Sequence, residues 1–227
     1  MGPISGLLAH VIEGCSPRPD LALSRVAFDI LGVIHLEPVT VTAEVVRPGR
    51  TIELLEATMV QRERVVVRAH AWRLLRSDTT QIAGEAIPTM PGPDAGSLWD
   101  GSQTWSGGFI ASLEIRVLPG WRPGRGQVWI RPRVPLLRSA EPAELARFFG
   151  MIDTMNGVAV RVQPDQVAFP NMDLTVHMFR QPHGEWLGLD DEVSFGAGGV
   201  GMTSAVLHDE TGPFGRALQI LTVRPMR

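Results

Sequence analysis

Three β-like runs carry an acid, a hydroxyl and an amide at positions that an internal repeat brings together. The run 172–180 (Met-Asp-Leu-Thr-Val-His-Met-Phe-Arg) places Asp173, Thr175, His177 and Phe179 on one face by the two-residue period of a strand. An aspartate on that apolar-flanked side is costly unless something hydrogen-bonds it. In the repeat register set out below its neighbours include Ser194 and Gln219, where the first copy has Val46 and Ala71. An Asp that takes a proton from water, oriented by an amide and a hydroxyl, can deliver hydroxide to a carbonyl without a covalent intermediate. The plainer alternative is that the three satisfy backbone groups or each other within a sheet.

Other chemistry-bearing residues read as structural. Gly196-Ala-Gly-Gly-Val-Gly201 matches the dinucleotide-binding fingerprint letter for letter, but a strand-like run follows it where a helix is required, so it reads as a hairpin turn. A Gly-x-Ser-x-Gly elbow is absent, which argues against a serine hydrolase of that kind. The six histidines show no HExxH spacing, and Cys15 reads as a buried thiol. Asp153 and Asn156, three apart on a predicted helix, read as a polar face or a C-terminal cap. Trp72, Trp105, Trp121 and Trp186 read as core or interface anchors.

Composition narrows the chemistry further. A chain of 227 residues, 44% apolar and 20% charged, can build its core without metal or disulfide staples. All 21 basic residues are arginine, which removes lysine Schiff-base chemistry and a Gly-Lys-Ser/Thr phosphate loop. A net charge of −3 gives no footprint for nucleic acid or an anionic membrane. One cysteine excludes an intrachain disulfide and a zinc–thiolate cluster. With no long apolar run and no basic leader, the default expectation is a soluble cytoplasmic protein.

The elements that must position the candidate site fall into two similar series. Residues 4–13 have helical spacing, with Ile4, Leu7, Leu8, Val11 and Ile12 on one stripe. Strands are expected at 22–36, 39–47, 51–60 and 64–75, then a linker over 77–104. Strands at 105–118 and 126–137 precede a helix over 141–157, with Ser139 as a possible cap. Strands at 172–180, 185–195, 200–208 and 214–223 follow. At an offset of 148 Glu44-Val45 meets Glu192-Val193, Arg68-Ala69 meets Arg216-Ala217, and the turns at 48–50 and 62–64 fall on those at 196–198 and 210–212. Upstream an offset of 144 pairs Asp29 with Asp173 and Pro38 with Pro182.

The stretches Met172–Arg180, Glu185-Trp186-Leu187, Glu192-Val-Ser194 and Arg216-Ala-Leu-Gln219 resemble the acyl-CoA thioesterase II (TesB-like) double-hotdog family. Gly2-Pro-Ile-Ser-Gly6-Leu-Leu resembles the start of the family's first central helix, and Val26–Pro38 the strand after it. The resemblance implies that Asp173, Ser194 and Gln219 hold and activate the hydrolytic water, with Ser194 in place of the commoner Thr. It also implies that backbone N–H groups of the helix start, at Gly2, Ile4 and Gly6, are the oxyanion donors. The family has strand sequence before that helix, and here the sequence begins at Met1-Gly2.

The expected architecture is therefore α+β, a double hotdog of two antiparallel sheets each wrapped around a central helix, the first copy missing its opening strands. Residues 1–98 form the N-terminal repeat with a linker from about 77, and 99–227 the C-terminal repeat that carries the site. The implied reaction is hydrolysis of fatty acyl-CoA to free fatty acid and CoA, with no metal and no redox cofactor. Two other readings of the fold remain: a non-catalytic acyl-CoA or acyl-binding protein, and a hotdog enoyl-CoA hydratase, for which Asp153-Thr-Met-Asn156 lacks the needed His. Acyl-CoA is the expected partner, nucleic acid and membrane are not, and a homo-oligomer is open because exposed strand edges favour association.

Overall fold

The computed structural model describes residues 1–138 and 141–226. Helix α1 (Gly2–Gly14) opens with Pro3 in its first turn, where a missing N–H costs nothing, and buries Ser5, Leu8, Ala9 and Ile12. Four antiparallel strands follow: β1 (Leu21–Ile30), β2 (Thr40–Arg47), β3 (Ile52–Gln61) and β4 (Arg64–Leu75). The two-residue turn between β3 and β4 holds Arg62 and Glu63 at φ 51° and 61°, the left-handed pair that matches strand twist in a tight hairpin. β1 stops at Ile30, short of the expected 36, and Leu36 beyond it is fully exposed.

The second unit places three strands ahead of its helix: β5 (Ser97–Trp99), β6 (Leu113–Val117) and β7 (Arg125–Pro132), with a short helix α2 (Gly108–Ala111) between β5 and β6. β5 lies inside the stretch expected to be linker, and α2 inside one expected to be strand. The expected helix over 141–157 is two helices, α3 (Glu144–Ile152) and α4 (Met155–Val158). Ser139, the expected cap, lies outside the described residues. Then come β8 (Val167–Ala168), β9 (Asp173–Met178), β10 (Leu187–Phe195), β11 (Val200–Asp209), β12 (Gly212–Thr222) and β13 (Arg224–Pro225). The glycine-rich 196–199 is the β10–β11 turn, with Gly196 N–H donating to Val200 O at 2.8 Å, as expected for a hairpin.

One eleven-stranded sheet runs β2-β3-β4-β1-β9-β12-β11-β10-β7-β6-β5. The two units join at its centre, where β1 pairs antiparallel with β9, Ala27 opposite Thr175 and Asp29 opposite Asp173. α1 and α3 lie antiparallel on one face of that sheet. A Cβ on Gly6 would stand 2.7 Å from Ala146 O, and one on Gly2 2.8 Å from Gly150 O, so only glycine allows the two backbones this approach. Ser5 Oγ closes the contact by donating to Phe149 O at 2.8 Å. Among the described residues no helix is long and apolar enough to cross a membrane.

The sheet register corrects the repeat. β3 and β4 map onto β11 and β12 at 148, as expected. β1 opposes Asp29 to Arg68, while β9 opposes His177 to Arg216, so the same 148 holds for β1 and β9. Asp29 therefore corresponds to His177, and Asp173 to Arg25. The offset of 144 belongs to the helices, where the contacts Gly2–Gly150 and Gly6–Ala146 interchange when 144 is added. The four extra residues lie between α3 and β9.

Candidate active site

The break between α3 and α4 creates the site. Thr154 donates both its N–H (3.0 Å) and its hydroxyl (2.8 Å) to Met151 O, a tightening of the last turn that ends α3 at Asp153. Asp153 continues the buried line Leu145–Phe149 at intervals of four, so its carboxyl points inward with that stripe. It enters the wall of a cavity of about 470 Å³ lined by Trp99, Trp105, Phe109, Ile110, Val158 and Phe169. Trp105 is fixed there by its indole N–H to Gly157 O, 2.8 Å, and by an edge contact to Phe169.

Two side-chain amides converge on one oxygen of that carboxyl. Asn171 Nδ2 lies 2.8 Å and Gln219 Nε2 3.0 Å from Asp153 Oδ1. Oδ2 has the Met1 nitrogen at 3.4 Å, at the start of α1. The Asp153 side chain keeps 10% of its surface accessible, enough for a small molecule in the cavity to touch it. Burial pushes its carboxyl above the usual carboxylate range, against the opposing pull of the Met1 nitrogen and the two amides. A carboxyl poised in that way accepts a proton near neutral pH better than an exposed aspartate would.

A β-bulge delivers Asn171. β9 and β12 pair Thr175 with Leu218, yet Asn171 bridges Leu221, so β9 spends one residue more than its partner. The bulge turns Asn171 to the inner face and leaves the Ile220 N–H without a ladder acceptor. Asp173 Oδ1 takes that N–H at 2.7 Å.

The expected trio does not converge. Gln219 is 1% exposed and faces inward with Ala217 and Leu221. Asp173 lies on the outer side of the sheet bound to Ile220 N–H, and Ser194, exposed and opposite Met202, lies there too. Adjacent residues of a strand face opposite sides, and that alternation separates both from Gln219. The side chains that do converge are Asp153, Asn171 and Gln219, and the first two were not among the expected site residues. The four-residue spacing from Leu145 through Phe149 to Asp153 was the available signal; the bulge behind Asn171 has none in the sequence. Of the expected oxyanion donors, Gly2 lines the cavity; Ile4 N–H is spent on Met1 O at 2.7 Å, and Gly6 packs against α3.

Two further buried polar groups stand on the inner face. Thr203, opposite Gln219 on β11, is fully buried, and its hydroxyl has no partner among the described residues; nor has Gln219 Oε1. Asp191 on β10 is likewise buried with neither oxygen bonded, and burial together with Asp190 holds its carboxyl well above the usual range.

Comparison with known proteins agrees with this architecture. The family model of the acyl-CoA thioesterase C-terminal domain matches residues 85–223, and that of the acyl-CoA thioesterase N-terminal domain residues 2–74. No curated protein matches the sequence. A conserved hot-dog-fold protein of unknown function from Alicyclobacillus acidocaldarius superposes with TM-score 0.80 at 15% identity, over 100% of this chain and 88% of that one. Acyl-CoA thioesterase II TesB2 from Mycobacterium marinum gives 0.72 at 18%, over 97% and 89%. The tesB protein of Mycobacterium avium subs paratuberculosis gives 0.71 at 19%, over 99% and 87%. With both halves matched in order around one paired sheet, the chain belongs to the acyl-CoA thioesterase family and is a thioester hydrolase of the double-hotdog fold.

Proposed function

We propose that this protein hydrolyses fatty acyl-CoA to free acid and CoA at the Asp153 site, with Asp153 as general base. The carrying observation is the convergence of the Asn171 and Gln219 amides on Asp153 Oδ1, which leaves Oδ2 with the Met1 nitrogen, itself at the cavity wall, as its one partner among the described residues. The acyl tail occupies the aromatic-lined cavity, and the thioester carbonyl points its oxygen at the first turn of α1. Gly2 N–H is the donor there, since the first N–H groups of a helix have no intrahelical acceptor and Pro3 has none to give. Asp153 takes a proton from water as the water oxygen bonds to the carbonyl carbon. The tetrahedral centre then collapses, the carbon–sulfur bond breaks, and the CoA thiolate leaves and takes up a proton. Cytoplasmic acyl-CoA pools are the substrate source in this reading.

Thiol release from acyl-CoAs of graded length tests the substrate class, and one turnover in oxygen-18 water tests the mechanism. General-base attack puts the label in the released acid and none in the protein. Label retained in the Asp153 carboxyl would show a covalent acyl-enzyme instead, and saturable binding without thiol release would leave only an acyl-CoA-binding protein.

A further inference from the structure

The Gln219 amide does its work in one orientation only. With Nε2 toward Asp153 it donates to the carboxylate; turned over, it would set its own oxygen against that carboxylate. The shape of an amide does not separate the two states, so something must hold Oε1. That oxygen is buried with no partner among the described residues, an arrangement that costs free energy until a donor reaches it. Directly across the β11–β12 ladder, on the same inner face, stands Thr203, 0% exposed, with a hydroxyl that is also unpartnered. Cross-strand neighbours of an antiparallel pair sit within reach of each other's side chains. In the first unit the equivalent pair is Leu55 and Ala71, both fully buried and apolar. Polar groups occur at this ladder position only in the unit that carries Asp153.

We propose that Thr203 is a positioning residue: its hydroxyl donates to Gln219 Oε1, directly or through one bridging water, and so locks the amide with Nε2 on Asp153. This inference rests on the assignment of Asp153 and Gln219 made above. Thr203→Val keeps the shape and removes the donor, so kcat falls about tenfold while KM holds, and the melting temperature drops by only a few degrees, the cost of leaving Gln219 Oε1 without a donor. Thr203→Ser restores the rate to within about threefold. In the Gln219→Ala background Thr203→Val has no further effect, because the group it positions is gone.

The test is steady-state thiol release from the acyl-CoA that a length screen finds fastest, for these variants of the full chain, with thermal melts alongside. Thr203→Val at the wild-type rate, beside a slow Gln219→Ala, overturns the role of Thr203 alone. Additive losses in the double variant overturn it too. If Gln219→Ala itself runs at the wild-type rate, the reading of the site fails and this inference with it. Should Thr203→Val not fold, Thr203→Ala against Thr203→Ser decides by the same criterion: equal rates overturn the proposal.

Discussion

The two units end their central helices in opposite ways. At the end of α1, Arg73 from β4 reaches across to the carbonyls of Ile12, Glu13, Cys15 and Ser16, and pairs with Glu53 at 3.1 Å, both side chains 5% exposed or less. A cation at the C-terminus of a helix complements the helix dipole, and the four carbonyls are satisfied together. At the end of α3 stands Asp153, a carboxylate where the dipole opposes it, held by Asn171 and Gln219. Carried into the first unit, these three positions are Ala9, Leu23 and Ala71, all buried. Where the first unit packs three apolar residues, the second gathers a buried carboxyl and two amides.

Breaking the stabilising end has the largest expected effect on folding. Arg73→Ala leaves Glu53 buried without its partner and four carbonyls without a donor, and urea unfolding should show a loss of about 3–5 kcal/mol. Replacing Arg73 and Glu53 together by leucine should recover only the part due to the unpaired Glu53, because the four carbonyls still lack their donor, with kcat per folded molecule unchanged.

On the other side, Asp191 is a buried acid whose carboxyl oxygens have no hydrogen-bond partner among the described residues. Its folded-state pKa is raised above the unfolded value, so the protein loses stability as pH rises above about 4 toward that raised value. Asp191→Asn should therefore be more stable at pH 7 by roughly 1–3 kcal/mol, with the difference vanishing near pH 4. Unfolding curves across pH check the slope.

A subtler change sharpens the chemical end. Asn171→Ala removes one of the two amides that pull the Asp153 carboxyl down, so the acid limb of the kcat/KM profile should move to higher pH, and kcat should fall about tenfold. An unmoved limb would detach Asn171 from the titrating group. Burial likewise pushes Glu13 up to about 7, against the pull of Arg73. Glu13→Gln should show a shallower decline in melting temperature between pH 4.5 and 7, the share due to Asp191 remaining, and run parallel to wild type above it.

Most of the fold was legible because strand alternation, hairpin turns and the repeat all point the same way. The series β2–β4 recurs at 148 as β10–β12 with bounds that agree to within one residue, and the Arg62-Glu63 and Glu210-Thr211 turns fall together. Of the expected trio, Gln219 alone joins the convergence on Asp153, and the amide in place of Ala71 at a secure repeat position is its signal in the sequence. Asp173 enters the expected trio through the family resemblance and through a sparse match at 144 that runs past the loop where the offset changes. Its side chain instead repairs the ladder at a bulge, and that same bulge swings Asn171 inward. Periodicity carries no trace of an inserted strand residue, so the exchange of faces between Asn171 and Asp173 could not be read from spacing. Asp153 reads in the sequence as part of a polar face or a C-terminal cap. It does end a helix, and the line through Leu145 and Phe149 shows why its carboxyl is nonetheless buried.

The most direct measurement sets two aspartates side by side. Asp153→Asn and Asp173→Asn are each compared with wild type for thiol release under kcat/KM conditions, with melts to confirm folding. A roughly thousandfold loss for Asp153→Asn, with Asp173→Asn within about threefold of wild type, is the predicted result. The reverse ranking, or a fully active Asp153→Asn, would contradict the assignment of the proton acceptor to the broken helix.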